Sequence, residues 1–305
     1  MHAAAPISLK PKKQKKQWNL FFLALPLILV VFLFSYVPLM GWILALFEYK
    51  PGYAIWDCEF VGLKYFQILL TNANTSRVMK NTLIFSGLGF LCLPMPMLLA
   101  VLLNEINSTR FRKAAQVITT LPHFISWVIV YSVFFSIFSS EGMLNQVFRM
   151  LGMKRQSILT DRDAVYWFQT LITQWKGVGW GSIIYIAAIA GIDQELYEAA
   201  YVDGAGRFRK IFSITVPSIL PVITIMFILR MGEIMNGGFD QIVNLYNSFT
   251  YSVGDILDTY AYRMGLEKFD YSYSTAITLF KNVIGLGMVL LTNYITKRLG
   301  GEGVY

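Results

Sequence analysis

Six stretches of about 20 or more mostly apolar residues constrain this chain more than any other feature, because a helix of that length crosses the hydrocarbon core of a bilayer. They run over 18–47, 82–103, 114–138, 165–190, 218–235 and 274–295. Lipid offers no hydrogen bonds, so backbone groups there must pair internally, as they do in a helix. The expectation is an all-α polytopic membrane protein with six transmembrane helices. Composition agrees: only 14% of residues are charged and 55% are hydrophobic, whereas soluble domains carry roughly a quarter charged residues.

The first run follows a basic stretch, Lys10, Lys12, Lys13, Lys15 and Lys16. A cleaved signal has an apolar region of only about 7–15 residues followed by small residues. This run is longer and ends in Glu48-Tyr49-Lys50-Pro51, so an uncleaved anchor is expected. The lysines could also form a nucleic-acid patch within the net charge of +8, but a topology signal fits their place before a span better. With an even number of spans both termini share a side. That side carries the five lysines, then Arg110, Arg112, Lys113, Arg207, Arg209, Lys210, Lys297 and Arg298, at higher density than in the longer opposite loops. Both termini are therefore expected in the cytoplasm. The layout is a basic tail (1–17), a first span (18–47), an outer loop (48–81), a five-span core (82–298) and a short tail (299–305). The outer loops read as structured rather than as linkers, and the third, over about 236–273, is rich in Asp, Tyr and Gly. Cys58 and Cys92 form no spaced framework.

Between the fourth and fifth spans, over 193–217, lies a loop with ordered signals. Asp193 can cap a helix whose first turn holds Gln194 and Glu195, favoured there by the helix dipole. Gly204 and Gly206 break that helix. A second segment begins with Arg207, Arg209 and Lys210 and ends at Pro217. A short helix, a bend and a re-entry helix are expected on the cytoplasmic face.

These residues resemble a known pattern: Glu-Ala-Ala, three residues, Gly, nine residues, then Ile-x-Leu-Pro. Here Glu198-Ala199-Ala200 is followed by Gly204 and then by Ile214, Val216 and Pro217, with Val216 in place of leucine. Asp203-Gly204-Ala205 is also similar. The pattern is that of the membrane subunits of binding-protein-dependent ABC importers, in their sugar and oligosaccharide group. A second stretch, 235–299, resembles the polysaccharide-type permeases of the same family. An interfacial helix with chance spacing is the plainer alternative.

The resemblance implies a type I importer permease in the cytoplasmic (inner) membrane of a bacterial cell, with a peripheral first span. It implies a coupling helix seated in a groove of a cytoplasmic ATPase. Glu198 would bond to that partner, Ala199 and Ala200 would allow close packing, Gly204 would allow the bend, and Asp203 and Arg207 would belong to the same contact. A second, similar permease, two ATPase subunits holding ATP and Mg, and an external solute-binding protein delivering an oligosaccharide would complete the machine. The sequence has no P-loop, no Gly-x-Ser-x-Gly elbow, and only His2 and His123 as histidines, so no catalytic or metal site is expected in this chain. A secondary transporter would need membrane carboxylates for ion coupling, of which Glu233 alone qualifies. A membrane-embedded enzyme would need an acidic or histidine cluster, which is not found.

Charges inside spans are costly and point to function. They are Lys176, Arg230, Glu233 and Lys281. Arg230 and Glu233, three apart, can pair on a helix, and the lysines can snorkel to the outer interface. Alternatively, three basic groups against one acid line a path for an anionic substrate, such as an oligosaccharide of uronic acids. Gly237-Gly238 ends the fifth span. Beyond it Asn236, Asp240 and Gln241 could bond sugar hydroxyls and Phe239 or Tyr246 could stack on a ring, unless this is an ordinary exit turn. Trp175 and Trp180 read as interfacial or packing residues.

Overall fold

A computed structural model describes residues 18–156, 158–245, 247, 249–301, 303 and 304. The basic tail, Tyr246 and the last residue lie outside that range. Helices dominate, and among the described residues the only β pairing is an isolated bridge between Phe47 and Phe60. The chain divides into two compact units, Met1–Ile43 and Leu44–Tyr305. In the first, a helix Trp18–Val31 continues as a π turn, Phe32–Tyr36, and then as a 3-10 helix that starts at Val37.

In the second unit the spans are helices with breaks. The second span starts at Ala73, earlier than hydropathy suggests, because the polar residues before the apolar run continue the same helix. It runs to Leu91, breaks, and resumes over Pro94–Asn104. Pro94 has no N–H to give the preceding turn, so it begins a new helix rather than extending the old one. The third span departs further from the expected continuous helix. It is a helix Thr109–Thr120, a 3-10 turn Leu121–Phe124 and a second helix Trp127–Phe138. Pro122 ends the first piece, and the Ser126 side chain accepts the Ile129 N–H to start the second.

The fourth span is one helix, Val165–Ala190. It turns by 71° into a short helix, Gln194–Val202. The segment Arg207–Ser218 then bends by 60° into Leu220–Gly232, the fifth span. That helix stops at Gly232, short of the expected 235. At that point Gly232 crosses Gly285 of the sixth span so closely that a Cβ on either would press on Val289 or the Gly232 backbone. Small residues permit such crossings between membrane helices. The sixth span, Tyr271–Arg298, is a single long helix. Among the described residues four runs are long and apolar enough to cross a membrane, and up to six when each bent pair counts as one span.

Between the fifth and sixth spans the segment expected on the outer side is structured, as its composition suggests. Short helices Phe239–Leu245, Tyr251–Gly254 and Leu257–Tyr262 precede a π turn, Arg263–Glu267. Buried polar contacts hold this cap. Asn81 donates to the carbonyls of Ser252 and Asp255 at 3.1 and 2.9 Å. Thr82 accepts the Leu257 N–H at 2.9 Å, and Thr75 meets the Tyr273 hydroxyl at 2.6 Å. At the opposite end, Ala100, Val101, Tyr185, Ile189 and Ile219 form one apolar cluster joining the second, fourth and fifth spans.

Candidate functional site

Two places in the second unit gather the singled-out residues. The first is the bend between the fourth and fifth spans. The Asp193 side chain caps the short helix by accepting the Glu195 N–H at 3.0 Å. Asp203 stands at its C-cap, and Gly204 follows with φ +72°, a left-handed conformation that glycine adopts without a Cβ penalty. Gly206 caps the re-entry segment, whose first residue, Arg207, reaches Glu105 at the foot of the second span (Nε–Oε2 3.6 Å). Within the helix, Glu195, Glu198, Ala199 and Val202 share one exposed face. Tyr197 and Ala200 are half-buried on the other. Tyr201, Val202 and Phe208 are 76%, 85% and 78% exposed. This is an exposed surface of apolar side chains with two carboxylates, Glu195 and Glu198, among them.

The second place is a cavity of about 460 Å³ between the second, third, fourth and fifth spans and the start of the outer cap. That size falls in the range of about 300–1,000 Å³ common for small-ligand sites. Arg230, Glu233, Asn236, Phe239, Asp240 and Gln241 all line it. Arg230 and Glu233 pair at 2.6 Å, and the guanidinium lies beside Gly89 of the second span. Asn236 and Asp240 are exposed. Phe239 packs against Tyr262 at 5.3 Å between centroids. Gln241 is engaged by its neighbours: it accepts from the Thr173 hydroxyl and donates to the Gln169 carbonyl at 2.7 Å.

The other two basic groups are not among the lining residues. The Lys176 ammonium donates to the carbonyls of His123 (2.6 Å) and Pro122 (3.3 Å) and sits 5.3 Å from the Trp127 ring. It braces the break in the third span, where the 3-10 turn leaves the His123 carbonyl in need of a donor and the Pro122 carbonyl also takes the Ile125 N–H at 3.2 Å. Lys281 is paired with Asp258 of the outer cap. The lining therefore holds one basic group, Arg230, against two carboxylates, Glu233 and Asp240, rather than three basic groups against one acid. Trp127, Thr173 and Gln174 also line it. Their signal in the sequence is faint. The Pro122 and Ser126 pair foretells a helix start at Trp127, but not what that start faces. Trp180 stacks on His123 at 4.5 Å, and Trp175 packs on Phe134 at 5.5 Å.

Replacing Lys176 by methionine keeps the stem and removes the donor from two carbonyls. The expected result is a loss of about 1–3 kcal/mol in thermal unfolding in detergent, partly restored by arginine. An unchanged melting profile would contradict the brace.

Residues 92–301 match the family described as binding-protein-dependent transport system inner membrane component. The chain belongs to that family. This permease is 40% identical to Protein LplB of Bacillus subtilis, over 99% of this chain and 96% of that one. It is 38% identical to the polygalacturonan/rhamnogalacturonan transport system permease protein YteP of the same organism, over 99% and 97%. Among solved structures it is similar to a chain of a bacterial alginate ABC transporter in complex with alginate pentasaccharide-bound periplasmic protein. The TM-score there is 0.86 with 37% identity, covering 95% of the permease and 97% of that chain. The fold is that of a type I ABC importer permease.

Proposed function

We propose that this permease is one of two similar membrane subunits of an ATP-driven importer for oligosaccharides of uronic acids. Two cytoplasmic ATPase subunits hold ATP and Mg and drive it through the loop at 193–217. An external solute-binding protein delivers the sugar to the outer cap. Both termini face the cytoplasm, and the permease performs translocation rather than bond chemistry. The substrate class is supported by relatives named for polygalacturonan and alginate, both acidic polymers; in the cavity lining Arg230 is paired with Glu233, so a uronate carboxylate would have to take the guanidinium from that pair. The ATP-driven reading is carried by one observation. The exposed face of Glu195, Glu198, Ala199 and Val202 is presented on a helix turned 71° from the fourth span.

The test is uptake by the assembled importer in vesicles, supplied with ATP and its binding protein, using oligosaccharides of alginate, galacturonan and arabinan. Glu198→Ala is expected to lower sugar moved per ATP hydrolysed by roughly 10-fold or more, the worth of a charge-assisted hydrogen bond of about 1.5–3 kcal/mol. Gly204→Ala adds strain of about 1–2 kcal/mol at a left-handed position and should act in the same direction. Normal sugar per ATP in both variants would remove the coupling role. Arg230→Gln is expected to depress uptake of the two acidic sugars more than that of arabinan oligosaccharide. Equal effects on all three would remove the anionic substrate.

A further inference from the structure

The bend at 193–217 contains one polar contact that its exposed face does not explain. The Tyr197 hydroxyl meets the Thr215 hydroxyl at 2.9 Å. Thr215 is only 2% exposed, and this is the hydrogen bond of its side chain among the described residues. Tyr197 lies on the inner face of the helix that presents Glu198 outward. The contact therefore joins the first leg of the bend to the foot of the fifth span.

The place it joins is the weakest part of that foot. Thr215 is the last residue of a π turn, Ile211–Thr215, in which the Val216 N–H reaches back to the Ile211 carbonyl. Pro217 follows without an N–H, and the 60° bend comes at Ile219. A π turn, a proline and a bend in succession are the usual sites where a helix changes direction at low cost. Beyond them Ile219 is buried with Ala100, Val101, Tyr185 and Ile189 in the cluster that unites three spans. A displacement entering at Thr215 meets a compliant joint on its own segment and a packed block immediately after it.

We propose that the Tyr197–Thr215 contact is a strut through which movement of the short helix is passed to the foot of the fifth span. It rests on the coupling role given above to the same bend. Tyr197 and Thr215 act here as positioning residues: neither meets the ATPase face or the cavity. The Arg207–Glu105 pair ties the re-entry leg to the second span but is open to water (67% and 32% exposed), and exposed pairs of this kind contribute little.

The experiment uses the assembled importer in vesicles with whichever of the alginate, galacturonan and arabinan oligosaccharides the unaltered complex takes up fastest. Tyr197→Phe and Thr215→Val each remove one hydroxyl with little change of shape. Each is expected to lower sugar moved per ATP roughly three- to tenfold, the range of one hydrogen bond. The double variant should be no worse than either single one, because the same contact is lost each time. Thr215→Ser keeps the hydroxyl and should stay within about twofold of the unaltered protein, by the same range. Multiplying losses in the double variant, a Thr215→Ser protein as poor as Thr215→Val, or lowered melting with unchanged sugar per ATP would each overturn the strut. Glu198→Ala run alongside separates the two failures. If it uncouples while Tyr197→Phe and Thr215→Val do not, only the strut falls. If it too transports normally, the coupling role falls and takes the strut with it.

Discussion

Replacing Asp255 by alanine is expected to destabilise the permease by about 3–5 kcal/mol, the usual consequence of removing one partner from a buried ion pair. Asp255 is fully buried, and its carboxylate takes the Arg263 guanidinium at 2.7 and 3.3 Å and the Thr259 hydroxyl at 2.8 Å. Arg263 is held further by the rings of Tyr251 and Tyr260, at 4.6 and 5.3 Å. Removing the carboxylate takes from the largely buried guanidinium its ion pair at 2.7 Å. The outer cap, which depends on this pair and on Asn81, should loosen before the spans do. Thermal unfolding in detergent, with protease sensitivity mapped between the fifth and sixth spans, checks both parts. A melting temperature near that of the unaltered protein would show that the pair holds nothing.

Gly179→Ala is the second large effect, and its control lies two residues away. A Cβ at Gly179 would overlap the carbonyl of Thr119 and the N of Thr120 in the third span. These are backbone atoms, so no rotamer change can make room and the third span must move at its break. Overpacking in a core costs about 1–3 kcal/mol, and a backbone collision belongs at or above the top of that range. The shift would also pull His123 away from Trp180 and the Lys176 brace from its carbonyls. At Gly177 the same substitution meets nothing within 4 Å, and alanine there should be neutral or stabilise by up to about 1 kcal/mol through helix propensity. Yield and melting temperature of the two variants side by side are the measurement. Equal behaviour would mean that the third and fourth spans do not meet at Gly179.

Much of this molecule is legible in order along the chain. Apolar length sets the spans, Pro94 and Pro217 lie at or beside breaks, and Asp193 with Gly204 brackets the short helix with its exposed Glu198. Such features are local: a missing N–H, a cap or a positive φ acts within a turn of where it stands. The third span shows how a local signal loses to a global habit. Pro122 and Ser126 mark its break, but hydropathy averaged over 114–138 runs through it.

The charged residues within the spans behave differently. Lys176, Arg230 and Lys281 are alike by composition and by place in apolar runs, and the sequence by itself determines only that each needs a partner. Tertiary structure alone decides which partner. Lys176 meets the His123 and Pro122 carbonyls at a helix break, Lys281 meets Asp258, and Arg230 with Glu233 opens onto the cavity. The physical reason is that a charge in a span is satisfied by whatever neighbouring helix offers a counter-group within hydrogen-bond reach. Which helix lies there depends on crossings such as Gly179 on Thr119 and Gly232 on Gly285, contacts between residues far apart in the chain that no periodicity encodes.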